Sequence, residues 1–210
     1  MDKKKQIREI IKRLLKEYPA PKCALNFRTP FELLVATVLS AQTTDAQVNK
    51  VTEPLFKKYR SIKAYADAPL EELQRDVSSV NFFRNKAGNI KRSAGMVIER
   101  FSSKVPGTME ELVTLPGVAR KTANIILSDA YGVIEGIAVD THVLRLSGRL
   151  AISSETDPVK VERYLMKITP KKHWATLSHL LILHGRTICK ARNPMHAACS
   201  LRDICPSSDQ

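Results

Sequence analysis

The chain has 210 residues, 43% of them apolar, so it can bury one substantial core or two small ones, and disorder is excluded as its default state. Its 34 Lys and Arg against 21 acidic residues give a formal charge of +13, which favours a polyanionic partner: nucleic acid first, an anionic membrane surface second. No stretch approaches the roughly 20 apolar residues that cross a bilayer, and the basic start does not resemble a signal peptide, so a soluble, cytoplasmic protein is expected.

Helical periodicity dominates from the start of the chain. Ile and Leu residues within 7–15 repeat at helical spacing, and apolar residues within 90–101 do the same. Thr108 with Glu111 forms a capping box, and Pro158 stands at the first position of a helix behind an acidic cap. Period-two alternation is nearly absent, and no Asn-Gly or Asp-Gly turn joins β-branched runs. These patterns predict an all-α protein.

The segment EELVTLPGVARKTANIILSDA, residues 110–130, predicts a helix, a tight turn at Pro116-Gly117 and a second helix. Such a hairpin points the backbone N–H groups of Gly117, Val118 and Ala119 outward at the positive end of the second helix, where a phosphate can bind. A glycine at the turn lets the phosphate come close to the backbone. An ordinary αα-corner is the alternative, and the basic charge of the chain favours DNA.

Two side chains near this hairpin are candidates for chemistry. Arg120 and Lys121 follow the turn directly, and Asp140 precedes the amphipathic segment that ends the run GIAVDTHVLRLSGRL. The plain alternatives are a solvated surface charge for Lys121 and an N-cap for Asp140. Capping and chemistry are compatible roles for one aspartate.

The C-terminal tail holds three of the four cysteines within CKARNPMHAACSLRDIC, residues 189–205. This clustering suits a reducing compartment and a metal site better than a disulfide framework. Cys23 stands alone and is expected to be a core cysteine. The tail therefore predicts a metal centre.

Four motifs in order carry a resemblance to a known family. LSAQTTD at 39–45, LPGVARKTAN at 115–124, VDTHVLR at 139–145 and the cysteine-rich tail together resemble the endonuclease III family of helix-hairpin-helix DNA glycosylases. The resemblance spans nearly the whole chain. It implies a base-excision-repair enzyme that removes oxidised pyrimidines from damaged double-stranded DNA and then cuts the strand 3′ of the abasic site. It further implies a cytoplasmic, nucleoid-associated protein that acts as a monomer.

The same resemblance implies an architecture of two helical domains. Residues 23–134 would form a six-helix bundle that contains the helix-hairpin-helix. Residues 1–22 and 135–210 would form a four-helix domain that ends in a metal-cluster loop.

Resemblance also assigns roles at the reacting centre, with Lys121 as the nucleophile and Asp140 as its supporting carboxylate. A neutral amine attacks C1′ and forms a Schiff base, and β-elimination then cuts the strand. A nearby carboxylate stabilises the positive charge that develops as the C1′–N bond breaks. Arg120, beside the nucleophile, is expected to contact DNA.

Further DNA contacts follow from the family pattern. Gln42 and Phe82 match positions that fill the hole left when a damaged base is flipped out of the duplex. Without the family, Gln42 would be interpreted as a polar helix end and Phe82 as a core aromatic. His142, Lys190 and Arg192 are expected to contact the DNA backbone, which positions the protein without specifying sequence.

The chain departs from the family pattern at several positions. Phe82 replaces a common Leu, and Asn81 replaces a frequent Gly before it. Ala119 stands where a second hairpin Gly is common, and its methyl group costs free energy if the backbone there needs positive φ.

The metal motif of the family is C-x6-C-x2-C-x5-C around a [4Fe–4S] cluster, and here the four matching positions are Cys189, His196, Cys199 and Cys205. Iron–sulfur clusters usually take four thiolates, although histidine replaces cysteine in some. Three cysteines and a histidine also form an ordinary structural zinc set. We expect the cluster because the family spacing is retained, with zinc, or a degraded site without metal, as the alternatives.

Two rival functions share the fold. A mismatch adenine glycosylase lacks the nucleophilic lysine and uses a carboxylate in the helix that matches LLVATVLSA, residues 33–41, where this chain has no acid. A non-catalytic helix-hairpin-helix module would bind DNA without chemistry and form no covalent complex with it.

Overall fold

The computed structural model describes residues 2–208. Within them the chain forms eleven α-helices, three short 3-10 turns and no β-strand, which confirms the all-α prediction. The helices are α1 Lys3–Glu17, α2 Pro30–Ser40, α3 Asp45–Lys58, α4 Ile62–Asp67, α5 Leu70–Asp76, α6 Phe83–Phe101, α7 Met109–Leu112, α8 Arg120–Tyr131, α9 Thr141–Arg149, α10 Pro158–Ile168 and α11 Trp174–Thr187. No helix among these residues is both long and apolar enough to span a bilayer.

The chain divides into two compact units, called here the hairpin unit and the tail unit. The hairpin unit is Cys23–Val133 and contains α2 to α8. The tail unit combines the chain up to Lys22 with the chain from Ile134 onward, and contains α1 and α9 to α11. Counting the single-turn α7, the hairpin unit has seven α-helices, where the resemblance implies six.

The core of the hairpin unit surrounds α2. Leu33, Leu34, Val35 and Ala36 are four consecutive residues with no exposed surface, so this helix is enclosed on every side. It packs against α3, α6 and α8. Cys23 packs against this core, as expected for a core cysteine.

The core of the tail unit is lined by the apolar face of α1. Ile7, Ile10, Ile11 and Leu14 are all buried, at the spacing that predicted the helix. This face packs against α10 and α11. The first helix of the chain is therefore a component of the unit that carries the C-terminal tail.

Helix starts agree with the capping signals in the sequence. Thr108 is the N-cap of α7 and accepts a hydrogen bond from the Glu111 N–H at 3.3 Å. Asp157 caps α10 and places Pro158 in its first turn. The helix predicted before the Pro116-Gly117 turn is shorter than expected: α7 ends at Leu112, and Leu115, which is buried, lies in the turn that follows.

Candidate functional site

The hairpin between α7 and α8 depends on Gly117. Its φ of +80° is the left-handed region that side chains disfavour, and a Cβ built there would lie 2.9 Å from Asn89 Nδ2 on α6. Ser93, also on α6 and fully buried, donates its hydroxyl to the Pro116 carbonyl at 3.0 Å. Glycine is thus required both for backbone conformation and for the close approach of the turn to α6.

The backbone donors of the hairpin are not equivalent. Val118 is buried, and its N–H donates to the Leu115 carbonyl at 3.1 Å, inside the turn. Gly117 and Ala119 are exposed, so they are the better-placed donors for a phosphate. Ala119 has φ −86°, so the methyl group that replaces the common second glycine causes no backbone strain.

Lys121 lies in the first turn of α8, one residue after Arg120, and both are exposed. The N-cap position belongs to Ala119, whose side chain provides no cap. The positive end of α8 therefore faces solvent together with two cationic side chains, an arrangement that attracts an anionic ligand.

Asp140 is the N-cap of α9, as the plain alternative expected. Its Oδ1 accepts hydrogen bonds from the N–H groups of His142 and Val143, both at 2.8 Å. Both bonds use the same oxygen, and no residue within 2–208 donates to Oδ2. Because the residue is only partly buried, one carboxylate oxygen fixes the helix and the other is available for chemistry. Lys121 belongs to the hairpin unit and Asp140 to the tail unit.

His142 packs against Arg145 and Gly185. Arg145 Nη2 donates to the carbonyls of Gly185 and Cys189, both at 2.9 Å, and lies 3.2 Å from His142 Nδ1. Burial lowers the pKa of His142, which favours the neutral ring. Gly185 of α11 permits this packing, because a Cβ there would lie 3.0 Å from His142 Nδ1.

Gln42 and Phe82 occupy two loops of the hairpin unit, and both are exposed. Both adopt the left-handed conformation, with φ of 55° and 57°, which is uncommon for residues other than glycine. Phe82 is 62% exposed, so the core-aromatic alternative is wrong for this residue. Asn81, which stands in place of the frequent glycine, donates its side-chain amide to the Gln42 carbonyl. The substitution therefore adds a hydrogen bond between the loops.

The four tail ligands predicted from the sequence line one pocket. Cys189, His196, Cys199 and Cys205 all contribute to it, together with Arg149 of α9. Arg149 Nη1 lies 3.3 Å from Cys189 Sγ, which is a suitable donor to a thiolate. Three soft sulfur ligands and an imidazole suit iron–sulfur or zinc chemistry. Within residues 2–208, no group of three or more His, Cys, Asp or Glu side chains meets the geometry for holding a single metal ion.

The loop that contains these residues is tied to the rest of the tail unit. Arg149 donates to the carbonyls of Lys190 at 2.6 Å and Ala191 at 2.9 Å, and Lys190 and Arg192 are exposed. Arg13 of α1 binds Asp203 and donates to the Ser200 carbonyl at 3.1 Å. Both ends of the loop are therefore fixed by arginines of the helical core.

The contact between His184 and Cys199 could not be predicted from the sequence. His184 of α11 is 1% exposed, and its Nε2 lies 3.3 Å from Cys199 Sγ. Its Nδ1 faces the Tyr18 hydroxyl at 3.4 Å. Burial lowers the pKa of His184 and raises that of Cys199. A histidine on a helix with an apolar face predicts a packing role, and only the folded tail brings the ring to the thiol.

Comparison with known proteins identifies the family. Residues 35–171 match the model of the HhH-GPD superfamily of base excision DNA repair proteins. Endonuclease III of Synechocystis sp. is 48% identical over 206 residues, which cover 98% of this chain and 94% of that protein. This chain belongs to the endonuclease III family. Endonuclease III of Bacillus subtilis is also 48% identical, over 96% of this chain and 92% of its own length.

Solved structures of the family extend the similarity to the whole backbone. One is a trapped endonuclease III–DNA covalent intermediate with an estranged adenine, which matches with a TM-score of 0.95 at 46% identity. The match covers 100% of this chain and 98% of the other. A non-covalent endonuclease III–DNA complex matches equally well. The similarity therefore includes both the hairpin and the cysteine-rich tail.

Proposed function

We propose that this chain excises oxidised pyrimidines from double-stranded DNA with Lys121 as the nucleophile and Asp140 as its supporting carboxylate. Its activity is that of the endonuclease III family, a DNA glycosylase that also acts as a lyase on abasic sites. One observation carries the assignment of the nucleophile: an exposed lysine in the first turn of α8, directly after a glycine hairpin with exposed backbone, in a chain that resembles an endonuclease III trapped covalently on DNA.

The proposed chemistry uses one side chain at the start of α8 and one at the start of α9. Neutral Lys121 Nζ attacks C1′ of the flipped nucleotide, and the electrons of the C1′–N bond leave with the damaged base. Nζ then loses a proton and the C1′–O4′ bond opens as O4′ takes up a proton, which leaves a Schiff base between Nζ and C1′. The Schiff base acidifies the C2′ proton, and removal of that proton expels the 3′ phosphate. Asp140 Oδ2 stabilises the positive charge at the sugar while Oδ1 keeps the carboxylate in place.

DNA is held by groups that do not react. Gly117 and Ala119 offer backbone N–H donors at the positive end of α8 to one phosphate. Gln42 and Phe82 enter the duplex where the base has left, since both are exposed at loop tips. Arg120, His142, Lys190 and Arg192 contact the backbone in this proposal.

For the tail, we propose a [4Fe–4S] cluster held by Cys189, His196, Cys199 and Cys205. When bound, such a cluster fastens the C-terminal loop and supplies no step of the excision chemistry. The shared pocket, the sulfur-rich ligand set and the Arg149 donor support it. Zinc remains the second candidate because the set Cys3His is common for it.

Metal analysis of the purified protein decides between these two centres. We expect about four iron and four sulfide per chain, a brown colour and little zinc. Stoichiometric zinc in a colourless protein would contradict the cluster. The variant His196→Cys provides the control, because it restores the four-thiolate set. It should hold a cluster whether the wild-type protein contains iron or zinc.

Reductive trapping tests the nucleophile. Borohydride should link the wild-type protein covalently to a duplex that carries thymine glycol or an abasic site, and Lys121→Gln should form no adduct. Lys63→Gln is a matched control, because Lys63 is an exposed lysine of the same unit that pairs with Asp67 in α4. An adduct formed by Lys121→Gln at the wild-type level would remove Lys121 from its role.

The same assay separates the rival functions. A non-catalytic DNA-binding module would form no adduct in the wild-type protein. A mismatch adenine glycosylase would release adenine without a lysine adduct, and residues 33–41, which lie in α2 and at its C-cap, contain no acid for that reaction. We further propose that the protein acts as a monomer on nucleoid DNA in the cytoplasm.

A further inference from the structure

Lys86 is a buried lysine that the chemistry above does not use. It lies in the first turns of α6 and is only 5% exposed. Its Nζ donates to the carbonyls of Leu39 at 2.8 Å and Ala41 at 2.6 Å, and to Thr43 Oγ1 at 3.3 Å. No carboxylate pairs with it among residues 2–208, and burial lowers its pKa. Burying an ammonium group among neutral oxygens costs free energy, so we expect this lysine to have a structural or functional role that offsets the cost.

The acceptors of Lys86 belong to one of the two candidate DNA loops. They are the carbonyls of Leu39 and Ala41 at the C-terminal end of α2 and the hydroxyl of Thr43, so they come before and after Gln42 in the chain. A cation at a helix C-terminus is favourable because it satisfies carbonyls that have no partner within the helix. Lys86 therefore closes the end of α2 and holds the loop in which Gln42 adopts positive φ.

The second loop is joined to the first at the same place. Thr43 Oγ1, which accepts from Lys86, also accepts from the Asn81 N–H at 3.3 Å. The Asn81 side chain donates to the Gln42 carbonyl, and Gln47 Nε2 donates to Ser79 Oγ at 2.9 Å. Thr43 is thus a shared acceptor that links the two loops.

Phe82 is connected to Lys86 through the backbone of α6. The Lys86 N–H donates to the Phe82 carbonyl at 3.1 Å, which is the first hydrogen bond of that helix. The ammonium group of Lys86 thus fixes the Gln42 loop, while its backbone fixes the residue that presents the Phe82 ring.

We propose that Lys86 is a positioning residue that locks the Gln42 and Phe82 loops into one preformed unit for insertion into the duplex. The inference rests on the proposed DNA roles of Gln42 and Phe82. Its physical basis is preorganisation: two loops held in their binding conformation pay little ordering entropy when they enter DNA. Without Lys86, the end of α2 would lose its cation, and the two loops would be held together only by the hydrogen bonds of Asn81 and Gln47.

Lys91 provides a matched control on the same helix. Its Nζ donates to the carbonyls of Ala66 and Ala68 at the end of α4, so it is a second lysine that closes a helix C-terminus. Lys86→Met and Lys91→Met remove the same kind of contact. Only the first removal touches the loops of Gln42 and Phe82.

The experiment compares both variants with the wild-type protein in two measurements. Hydrogen exchange of residues 40–44 and 79–84 should become at least about tenfold faster in Lys86→Met and stay unchanged in Lys91→Met. With thymine glycol placed opposite 2-aminopurine, the fluorescence rise on binding should be delayed or lost, and the affinity for the duplex should fall at least about tenfold, in Lys86→Met alone.

A second variant keeps the inference testable if Lys86→Met does not fold. Thr43→Val leaves the lysine in place and removes only the shared hydroxyl, so it should accelerate exchange in the same two segments and reduce the fluorescence change. In whichever variant folds, wild-type exchange in either loop would overturn the role of Lys86. Wild-type affinity together with a wild-type fluorescence change would overturn it as well.

Failure of the proposed function would look different. Lys86→Met retains Lys121 and should still be trapped by borohydride on abasic DNA at saturating concentration. If the wild-type protein forms no adduct at all, the nucleophile assignment is wrong. The exchange results would still report on the coupling of the two loops.

Discussion

Asp140 has two separate tasks on its two oxygens. Oδ1 accepts both N-cap hydrogen bonds of α9, and Oδ2 is the oxygen assigned to the transition state. Asparagine caps helices as well as aspartate, because its side-chain oxygen accepts the same bonds. Asp140→Asn should therefore keep the fold, with a stability change within about 0.5 kcal/mol, and lower the single-turnover excision rate by roughly 100- to 1000-fold.

Asp157→Asn is the control for this prediction. Asp157 caps α10 in the same unit through a bond from the Lys160 N–H at 2.9 Å, and no chemistry is assigned to it. Urea unfolding should show equal stability for the two variants, and rapid-quench assays should show a loss of rate only at position 140. Equal rates in the two variants would mean that Asp140 is an N-cap and nothing more.

The hairpin between α7 and α8 places exposed backbone N–H groups close to Lys121 in the chain. Gly117→Ala should lower stability for two reasons, the positive φ and the overlap of the new Cβ with Asn89. The conformational part costs about 1–2 kcal/mol, and the overlap adds roughly 1 kcal/mol or more. DNA affinity should fall with it, because the turn that presents Gly117 and Ala119 must shift away from α6.

Gly132→Ala separates the two contributions. Gly132 ends α8 with φ +67°, and a Cβ there would meet nothing within 4 Å. In thermal unfolding, the Gly132→Ala variant should show only the conformational part of the loss of stability, and it should bind DNA as the wild type does. If the two alanine variants were equally stable, overlap with Asn89 would not be a reason that residue 117 must be glycine.

Local signals in the sequence predicted most of these elements. Thr108, Asp157 and Asp140 cap helices in the structure because capping depends on residues at most a few positions away. The end of α7 was less predictable, since Leu115 keeps helical spacing and burial while the backbone has already turned.

Contacts over long sequence distances were not predictable in the same way. A single lysine in the amphipathic pattern of α6 is interpreted as a surface charge, but Lys86 is buried against carbonyls 45 and 47 positions earlier. His184 reaches Cys199 only because the tail folds back over α11. Neither partner can be found from periodicity or motif spacing, because tertiary packing selects it.

For the whole molecule, the formal charge of +13 predicts a strongly salt-dependent affinity for DNA. Lys190 and Arg192 are exposed on a loop whose backbone is fixed by Arg149, so each should neutralise one phosphate. Lys190→Gln with Arg192→Gln should reduce the slope of log affinity against log salt by about 2, equally for damaged and undamaged duplexes.

The double variant Lys57→Gln with Lys63→Gln is the control for this prediction. It removes the same charge from lysines already paired with Glu53 and Asp67, and should leave the slope nearly unchanged. Equal slopes for the two double variants would show that net charge, and not its placement on the tail loop, governs binding.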